Sequence, residues 1–319
     1  MISVLLRPHL GRCIWLDIEA ENLLAIERDF RNMPRLRHTR ISYRHSGPMT
    51  PPWIIQENSI LQSLWIDTGI SGSFRAESFG GLRGTTLTEL CVRGQFPNAV
   101  VLELLPQCSA LEHLYWHSWD HIAITCTTLS FPHLTRLDIN SRTGVALRSL
   151  DAPELREILF HREYNESGSS THSFFHTDKQ FARLQTLQLV SYEDEDLILT
   201  FILRNRTIRE IHLFPTYTTP AATTRRITGF LSRFVVPLPH LSLAVPESVW
   251  KSHYFREMVV CIEKLLARLD EMSMAFSYAE IKDSDYAKGK VPVISTLLER
   301  FPGRIQIVGT QHRKSLWWT

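Results

Sequence analysis

The sequence predicts an α/β fold in which one curved, mainly parallel sheet carries helices and loops on its outer face. Three observations predict this class. A short apolar pattern recurs along the chain, and segments with helical spacing of apolar residues lie between its copies. The composition, with 44% hydrophobic and 21% charged residues, is ordinary for a globular protein. A chain of 319 residues is also longer than one compact core usually supports, which favours two domains or a repeat array.

The pattern is clearest within 131–162, where it occurs twice, 21 residues apart. Each copy has apolar residues in the frame L-x-x-L-x-L, and these are Leu134, Leu137, Ile139 and then Leu155, Ile158, Phe160. The last two positions of the frame alternate with polar residues, as in a strand with one buried face. One such unit cannot bury its apolar face alone, so similar units are expected on both sides. The frame therefore predicts an irregular leucine-rich-repeat solenoid.

Further copies of the frame cover most of the chain. With any apolar residue, Cys or Thr allowed, their first positions are Cys13, Leu36, Leu61, Leu87, Leu111, Leu134, Leu155, Leu184, Ile208, Leu238, Leu269 and a degenerate Pro302. A single match means little in a leucine-rich chain, but the first positions of successive frames are 21 to 33 residues apart along the whole series, without a gap. We expect one solenoid domain over 1–319 with about twelve irregular units, of which those in 238–319 are longer and capping.

Several segments between the copies are predicted to be helices. Apolar residues recur at helical spacing in 21–33, 98–105 and 252–269. The segment 191–206 has acids at its start and arginines at its end, as the helix dipole favours. Thr219 followed by Pro220 is the signature of an N-cap and a first helical residue.

Two other connections have the composition of loops. The segment 69–86 is rich in glycine, and 164–179 is long and polar. Neither segment has the composition to form part of a hydrophobic core.

Charge and cysteine usage narrow the classes of partner and compartment. The formal net charge is +2 with basic and acidic residues mixed along the chain, so we expect no nucleic-acid partner and no membrane partner. The five cysteines never form a C-x-x-C pair, which suits a reducing compartment. The apolar run at the start of the chain is too short for a signal peptide. These features predict a cytoplasmic or nuclear protein.

Motifs that would indicate an enzyme, a cofactor or a metal are missing from the sequence. On a strand, His113 and His117 lie roughly 13 Å apart, too far to share one zinc ion. Two histidines on neighbouring strands could still meet, but no second set of ligands in the sequence supports such a site. The acidic run 193–196 is explained by a helix start, and the glycines of 69–84 form no phosphate-binding loop. No nucleophile is paired with a recognisable base. We therefore expect no enzymatic activity, no cofactor and no metal site, and a hydrolase with a site built across loops is the least favoured alternative.

The residues that alternate with the core positions form the candidate binding surface. They include Trp, Tyr, His and Arg, which are enriched where proteins bind one another. We predict that a protein target binds the concave strand face, with Trp65 and Tyr115 as anchors and Arg93, His117, Arg136 and Asp138 as orienting groups. The alternative is a register shifted by one residue, which would bury all of them.

Several stretches of the chain resemble the leucine-rich-repeat region of fungal F-box proteins of the basidiomycete type. They are ALRSLDAPELREILF, LLRPHLGRCIWLDI, EDEDLILTFILRNRTIREIHL and ISTLLERFPGRIQIV. The resemblance implies a non-enzymatic substrate receptor of a ubiquitin ligase, which presents its strand surface to a target while an upstream F-box binds the ligase adaptor.

The sequence departs from that family pattern in two respects. No F-box is visible before Leu10, so we expect adaptor binding only if one lies upstream, and a stand-alone scaffold without a ubiquitin role is the alternative. The asparagine ladder of regular leucine-rich repeats is replaced by Arg44, Gly69, Gln95, Trp119 and Arg142. Irregular curvature is therefore expected.

Overall fold

The computed structural model describes residues 11–19, 33–43, 48–49, 60–68, 73–74, 86–95, 98–119, 128–162, 174–175, 178, 180–190, 195–214, 219–234, 240–245, 249, 253–269, 273–278 and 291–309. The predicted helix 21–33 and the predicted loops 69–86 and 164–179 fall almost entirely outside these residues.

The described residues contain strands throughout and helices from Asn98 onward. The strands are β1 (Trp15–Glu19), β2 (His38–Tyr43), β3 (Pro48–Met49), β4 (Ser63–Thr68), β5 (Ser73–Phe74), β6 (Glu89–Gly94), β7 (His113–Ser118), β8 (Leu129–Ser130), β9 (Arg136–Asn140), β10 (Leu150–Asp151), β11 (Glu157–His161), β12 (Thr186–Val190), β13 (Glu210–Phe214), β14 (His240–Val245), β15 (Ser273–Tyr278) and β16 (Ile305–Gly309). The α-helices are α1 (Asn98–Leu104), α2 (Ser141–Ala146), α3 (Glu195–Arg204), α4 (Pro220–Arg233), α5 (Tyr254–Arg268) and α6 (Val291–Arg300). The fold is α/β with a large parallel sheet, as the sequence predicts.

The chain divides into two compact units. The first contains Met1–Ile158 and Glu166–Arg183, and the second contains Leu159–Asn165 and Leu184–Thr319. The expectation of one domain over 1–319 stays a prediction.

In the first unit the strands follow the order β1-β2-β4-β6-β7-β9, and every pair is parallel. The register aligns the fourth position of each frame, which is held by Leu16, Thr39, Leu64, Leu90, Leu114 and Leu137. The sixth positions align in the same way, and from β2 onward both sets are buried. The predicted register is confirmed. Two short parallel ladders, β3 with β5 and β8 with β10, are not predicted by the frame.

In the second unit the order is β12-β13-β14-β15-β16, again with parallel pairs. The aligned fourth positions are Leu187, Ile211, Leu241, Met274 and Ile305. The degenerate last frame, which begins at Pro302, predicts a closing strand, and β16 confirms it. Helices α3 to α6 lie in sequence between these strands, so strand and helix alternate through the unit.

The helix predictions that fall on described residues are confirmed at α1, α3, α4 and α5. Thr219 caps α4 as predicted, because its hydroxyl accepts a hydrogen bond from the backbone N–H of Ala222 at 3.2 Å. Helices α2 and α6 are not among the helices that the sequence predicts. None of the described helices is both long enough and apolar enough to cross a bilayer.

Gly94 ends β6 in a conformation that only glycine adopts easily. Its φ is +102°, and a Cβ placed there would lie 1.8 Å from the backbone oxygen of Thr68 on the neighbouring strand. Thr68 completes the contact by donating from its hydroxyl to the Arg93 carbonyl at 3.0 Å. The close approach of these two strand ends therefore depends on the missing side chain.

We expect Gly94→Ala to lower the free energy of unfolding by more than about 2 kcal/mol, because it adds both a strained φ and a clash with backbone. Gly303→Ala is the matched control. Gly303 also has a positive φ, +72°, but a Cβ there meets nothing within 4 Å, so the cost should be about 1 kcal/mol. Urea unfolding of the two variants tests this. Equal losses would show that the Thr68 contact is unimportant.

Arginines from the following segment stabilise the C-terminal ends of two helices in the second unit. The last carbonyls of a helix have no partner within it. Arg268 donates to the carbonyls of Leu231 and Phe234 at the end of α4. Arg304 does the same at the end of α5, donating to Leu266 at 2.9 Å and to Leu269. The end of each of these two helices is thus hydrogen-bonded to an arginine that lies later in the sequence.

Arg304→Ala should therefore destabilise the protein by about 2 kcal/mol, as expected for lost hydrogen bonds from a charged donor. Arg300→Ala is the control, since Arg300 forms an exposed ion pair with Glu263 at 3.5 Å and should cost less than about 0.5 kcal/mol. Both values come from denaturant melts. If the two variants melted alike, the arginine contacts at the helix end would not contribute.

Candidate functional site

The six predicted site residues lie on one face of the first unit's sheet. Successive strand residues point to opposite faces, and Leu64 and Ile66 are buried on either side of Trp65. The same holds for Tyr115, between Leu114 and Trp116. Register places Trp65 and Tyr115 in one column, separated by Cys91. We call this surface, formed by the residues that alternate with the core on β1, β2, β4, β6, β7 and β9, the polar face.

Trp65 is half-buried and has a cationic neighbour. The guanidinium of Arg40 lies 5.8 Å from the centroid of the indole ring, which is within cation–π range. The same guanidinium is 4.0 Å from the carboxylate of Asp17 on β1. The indole and the carboxylate together hold one cation at the surface.

The two predicted arginines have different surroundings. Arg93 is half-buried and is aligned in register with Asp67 on one side and His117 on the other. Arg136 pairs with Glu157, with 3.2 Å between its Nε and a carboxylate oxygen. Arg136 is thus ion-paired with an acidic side chain, and Arg93 has an acidic residue opposite it on the neighbouring strand.

Three of the predicted residues form a hydrogen-bonded chain. His117 Nε2 donates to the Asp138 carboxylate at 2.7 Å, because a carboxylate can only accept. That leaves Nδ1 of the neutral imidazole to accept from the phenol of Tyr115 at 3.1 Å. The Tyr115 and His117 rings are also stacked, with centroids 4.2 Å apart. To bind a metal ion, His117 would have to give up one of these two bonds.

The prediction that the Asp138 side chain is exposed is wrong. It was predicted to be a surface residue, but it is only 1% exposed. Cys91, Asn140 and His212, which alternate with core residues in the same way, are also buried. Side chains on adjacent strands, roughly 4.8 Å apart, cover one another, and the sequence pattern shows only which way a residue points.

Burial changes the acidity of two groups on the polar face. Desolvation raises the pKa of the Cys91 thiol well above its usual value, and Asp138, Glu89 and Asp67 raise it further while Arg93 opposes them. Desolvation also raises the pKa of the Tyr115 phenol, and the charge of Asp138 adds to the effect. Both groups therefore stay protonated at neutral pH.

The hydrogen-bonded chain fixes the orientation of the Tyr115 and His117 side chains. Neither Tyr115 nor Cys91 is ionised at neutral pH, because the pKa values of both groups are raised. What the arrangement provides is a fixed position for the Tyr115 and His117 rings, held by the buried carboxylate.

Sequence reasoning missed the role of Asn140 at the end of β9. Its side-chain oxygen accepts from the backbone N–H of Thr143 at 3.0 Å, and the Thr143 hydroxyl accepts from the Asn140 N–H at 3.1 Å, which is the reciprocal pairing of a capping box. The Asn140 amide also donates to the Ser118 carbonyl at 2.6 Å. The N-x-x-T spacing before α2 could have revealed the cap.

Trp15 also alternates with the core residues of its strand, but it is not among the predicted anchors. It is 57% exposed, far more than Trp65. Its ring stacks on His38 with centroids 5.4 Å apart. The sequence pattern does not predict how exposed the Trp15 side chain is.

Comparison with known proteins identified no family: neither a protein-family model nor a curated protein matches the chain.

Tyr115→Phe tests the hydrogen-bonded chain through its pH dependence. At neutral pH the variant should be about 1 kcal/mol less stable, because it loses one hydrogen bond. The folded pKa of Tyr115 is raised, so the phenol's contribution is full below the unfolded pKa of about 10 and is lost as the pH rises above it. The stability difference between wild type and variant, measured by urea unfolding, should therefore shrink at alkaline pH. A constant difference would contradict the buried, protonated phenol.

Proposed function

We propose that this chain is an irregular leucine-rich-repeat solenoid that binds a protein target through the polar face. It acts as the target-binding region of an F-box-like substrate receptor in the cytoplasm or nucleus. Trp65 and Tyr115 are the anchors, and Arg93, His117, Arg136 and Asp138 orient them and the partner. The activity is recognition and involves no enzymatic step.

The repeated register supports the solenoid. In each unit, the same frame positions align across successive parallel strands, for instance Leu64, Leu90 and Leu114. Such alignment is what repeats produce when each buries its apolar side against the next. Steps of 21 to 33 residues between frames agree with the length of one strand and one return segment.

The observation that carries the binding proposal is the set of pre-oriented aromatic and basic side chains on the polar face. Arg40 lies over Trp65, and Tyr115 is locked to His117 by stacking and a hydrogen bond. Trp, Tyr and Arg supply most hot spots in protein interfaces. Side chains that are already fixed lose little conformational entropy on binding, so more of the contact energy is retained.

The proposal that no enzymatic step is involved agrees with the raised pKa values of Cys91 and Tyr115, since neither group is ionised at neutral pH. The ubiquitin-ligase role rests on the family resemblance alone. A partner that binds the polar face but is not degraded would favour the stand-alone scaffold instead.

Charge reversal and truncation on the polar face test the proposal. Trp65→Ala and Arg93→Glu should each reduce capture of the specific partner from a host lysate at least tenfold, because truncation of an anchor costs about 2 kcal/mol or more. Partners are identified by quantitative mass spectrometry against the wild-type capture.

Leu203→Ala is the matched control, since Leu203 is a large apolar side chain exposed on α3 and outside the polar face. It should leave capture unchanged. Thermal melts accompany all three variants. Capture that persists in Trp65→Ala and Arg93→Glu would show that the polar face is not the binding surface.

A further inference from the structure

The polar face begins on β1 with an aromatic residue followed by two acids. Trp15, Asp17 and Glu19 alternate along the strand, so they share one face. The Trp15 side chain is 57% exposed and that of Asp17 is 55% exposed. Cα atoms two residues apart on a strand are roughly 6.6 Å apart. A single long side chain lying over the indole can therefore reach the Asp17 carboxylate.

One side of the Trp15 ring is covered within the protein. The imidazole of His38 stacks against it at 5.4 Å with an angle of 29° between the planes. His38 is the register partner of Trp15 on β2. The exposed remainder of the indole is a flat π surface held in place by this stack, and a cation is attracted to such a surface.

The charge of this end of the polar face is negative. Its described residues on β1, β2, β4 and β6 include more carboxylates than guanidinium groups, namely Asp17, Glu19, Asp67 and Glu89 against Arg40 and Arg93. A basic partner is complementary to this field, and a nucleic acid is repelled by it.

The protein itself shows that a cation is accommodated here. Arg40 lies over Trp65 and beside Asp17, so an indole and a carboxylate already hold one guanidinium on this face. Trp15 and Asp17 offer the same pair of groups on β1 itself. A second cation placed over Trp15 would share the Asp17 carboxylate with Arg40.

We infer that the β1 end of the polar face binds a lysine- or arginine-containing peptide segment of the partner, with the cationic side chain over Trp15 and its charge on Asp17. This inference rests on the proposed function and names the chemistry of the partner. The peptide is extended across the strands, so that its basic residue lies over β1 and its neighbouring residues approach Trp65. Trp15 thus becomes a third aromatic anchor beside Trp65 and Tyr115.

Selection of random peptides on the immobilised full chain tests the inference. The selected sequences should be enriched in Lys or Arg at one position, and their binding should weaken as salt is raised. The enriched peptides, labelled with fluorescein, are then titrated by anisotropy. A matched peptide with citrulline in place of arginine, or norleucine in place of lysine, should bind at least tenfold more weakly.

The variants assign the binding to β1. Trp15→Ala and Asp17→Asn should each raise the Kd of the selected basic peptides about tenfold, and Asp17→Lys should abolish the enrichment in basic residues. Trp15→Phe should retain part of the affinity, because it keeps a smaller aromatic surface. Glu257→Gln, which removes an exposed carboxylate on α5, is the control and should change nothing. All of these side chains are exposed, so melting temperatures should stay close to wild type.

Three results would overturn the inference. One is selection of no peptides, or of peptides without basic enrichment. Another is an unchanged Kd in Trp15→Ala and Asp17→Asn. The third is Trp15-dependent binding of neutral oligosaccharides on a glycan array in place of peptides. If one of these results occurs but Trp65→Ala still loses lysate capture, the inference fails and the polar face remains the recognition surface. If basic peptides bind through Trp15 but Trp65→Ala captures its partners normally, the proposed anchors are refuted instead.

Discussion

Each strand of this protein buries its apolar side chains only because the next strand presents the same frame positions beside it. The backbone hydrogen bonds of the parallel pairs fix that alignment, and a slip of one residue would turn every buried leucine outward. Leu64, Leu90 and Leu114 illustrate the constraint, since they are aligned and fully buried. The loose period of the sequence is tolerated because the return segments differ in length while the strand register does not.

The same alignment gathers small and polar residues at the ends of the strands in the first unit. Thr68, Gly94 and Ser118 are register partners, and Asn140 donates to the carbonyl of Ser118. At this edge the backbone leaves the sheet, so its buried polar groups need partners. At these strand ends the chain has a threonine hydroxyl bonded to a carbonyl, a close backbone approach at glycine, and one capped helix.

On the polar face, the same alignment of strands brings side chains from neighbouring strands into contact with one another. Asp138 is buried, and it holds His117 and through it Tyr115. Arg40 joins Asp17 to Trp65 in the same way. A surface built like this is stiff, which would lower the entropic cost of binding the partner proposed above. It also means that substitution of one member affects neighbours two strands away, so effects on stability and on binding must be measured together.

The sequence by itself determined the α/β class, the parallel strands, their register and four of the helices, because these depend on local periodicity and on capping residues such as Thr219. It also identified which residues alternate with the core, including Trp65 and Tyr115. It could not determine how deeply each of those residues is covered, since that depends on neighbours 21 to 26 residues away. Only the tertiary structure shows that Asp138 is buried against His117, that Trp15 is exposed beside His38, and that the Asn140 amide donates to the Ser118 carbonyl. Each of these contacts joins residues on different strands, so no local sequence pattern predicts it.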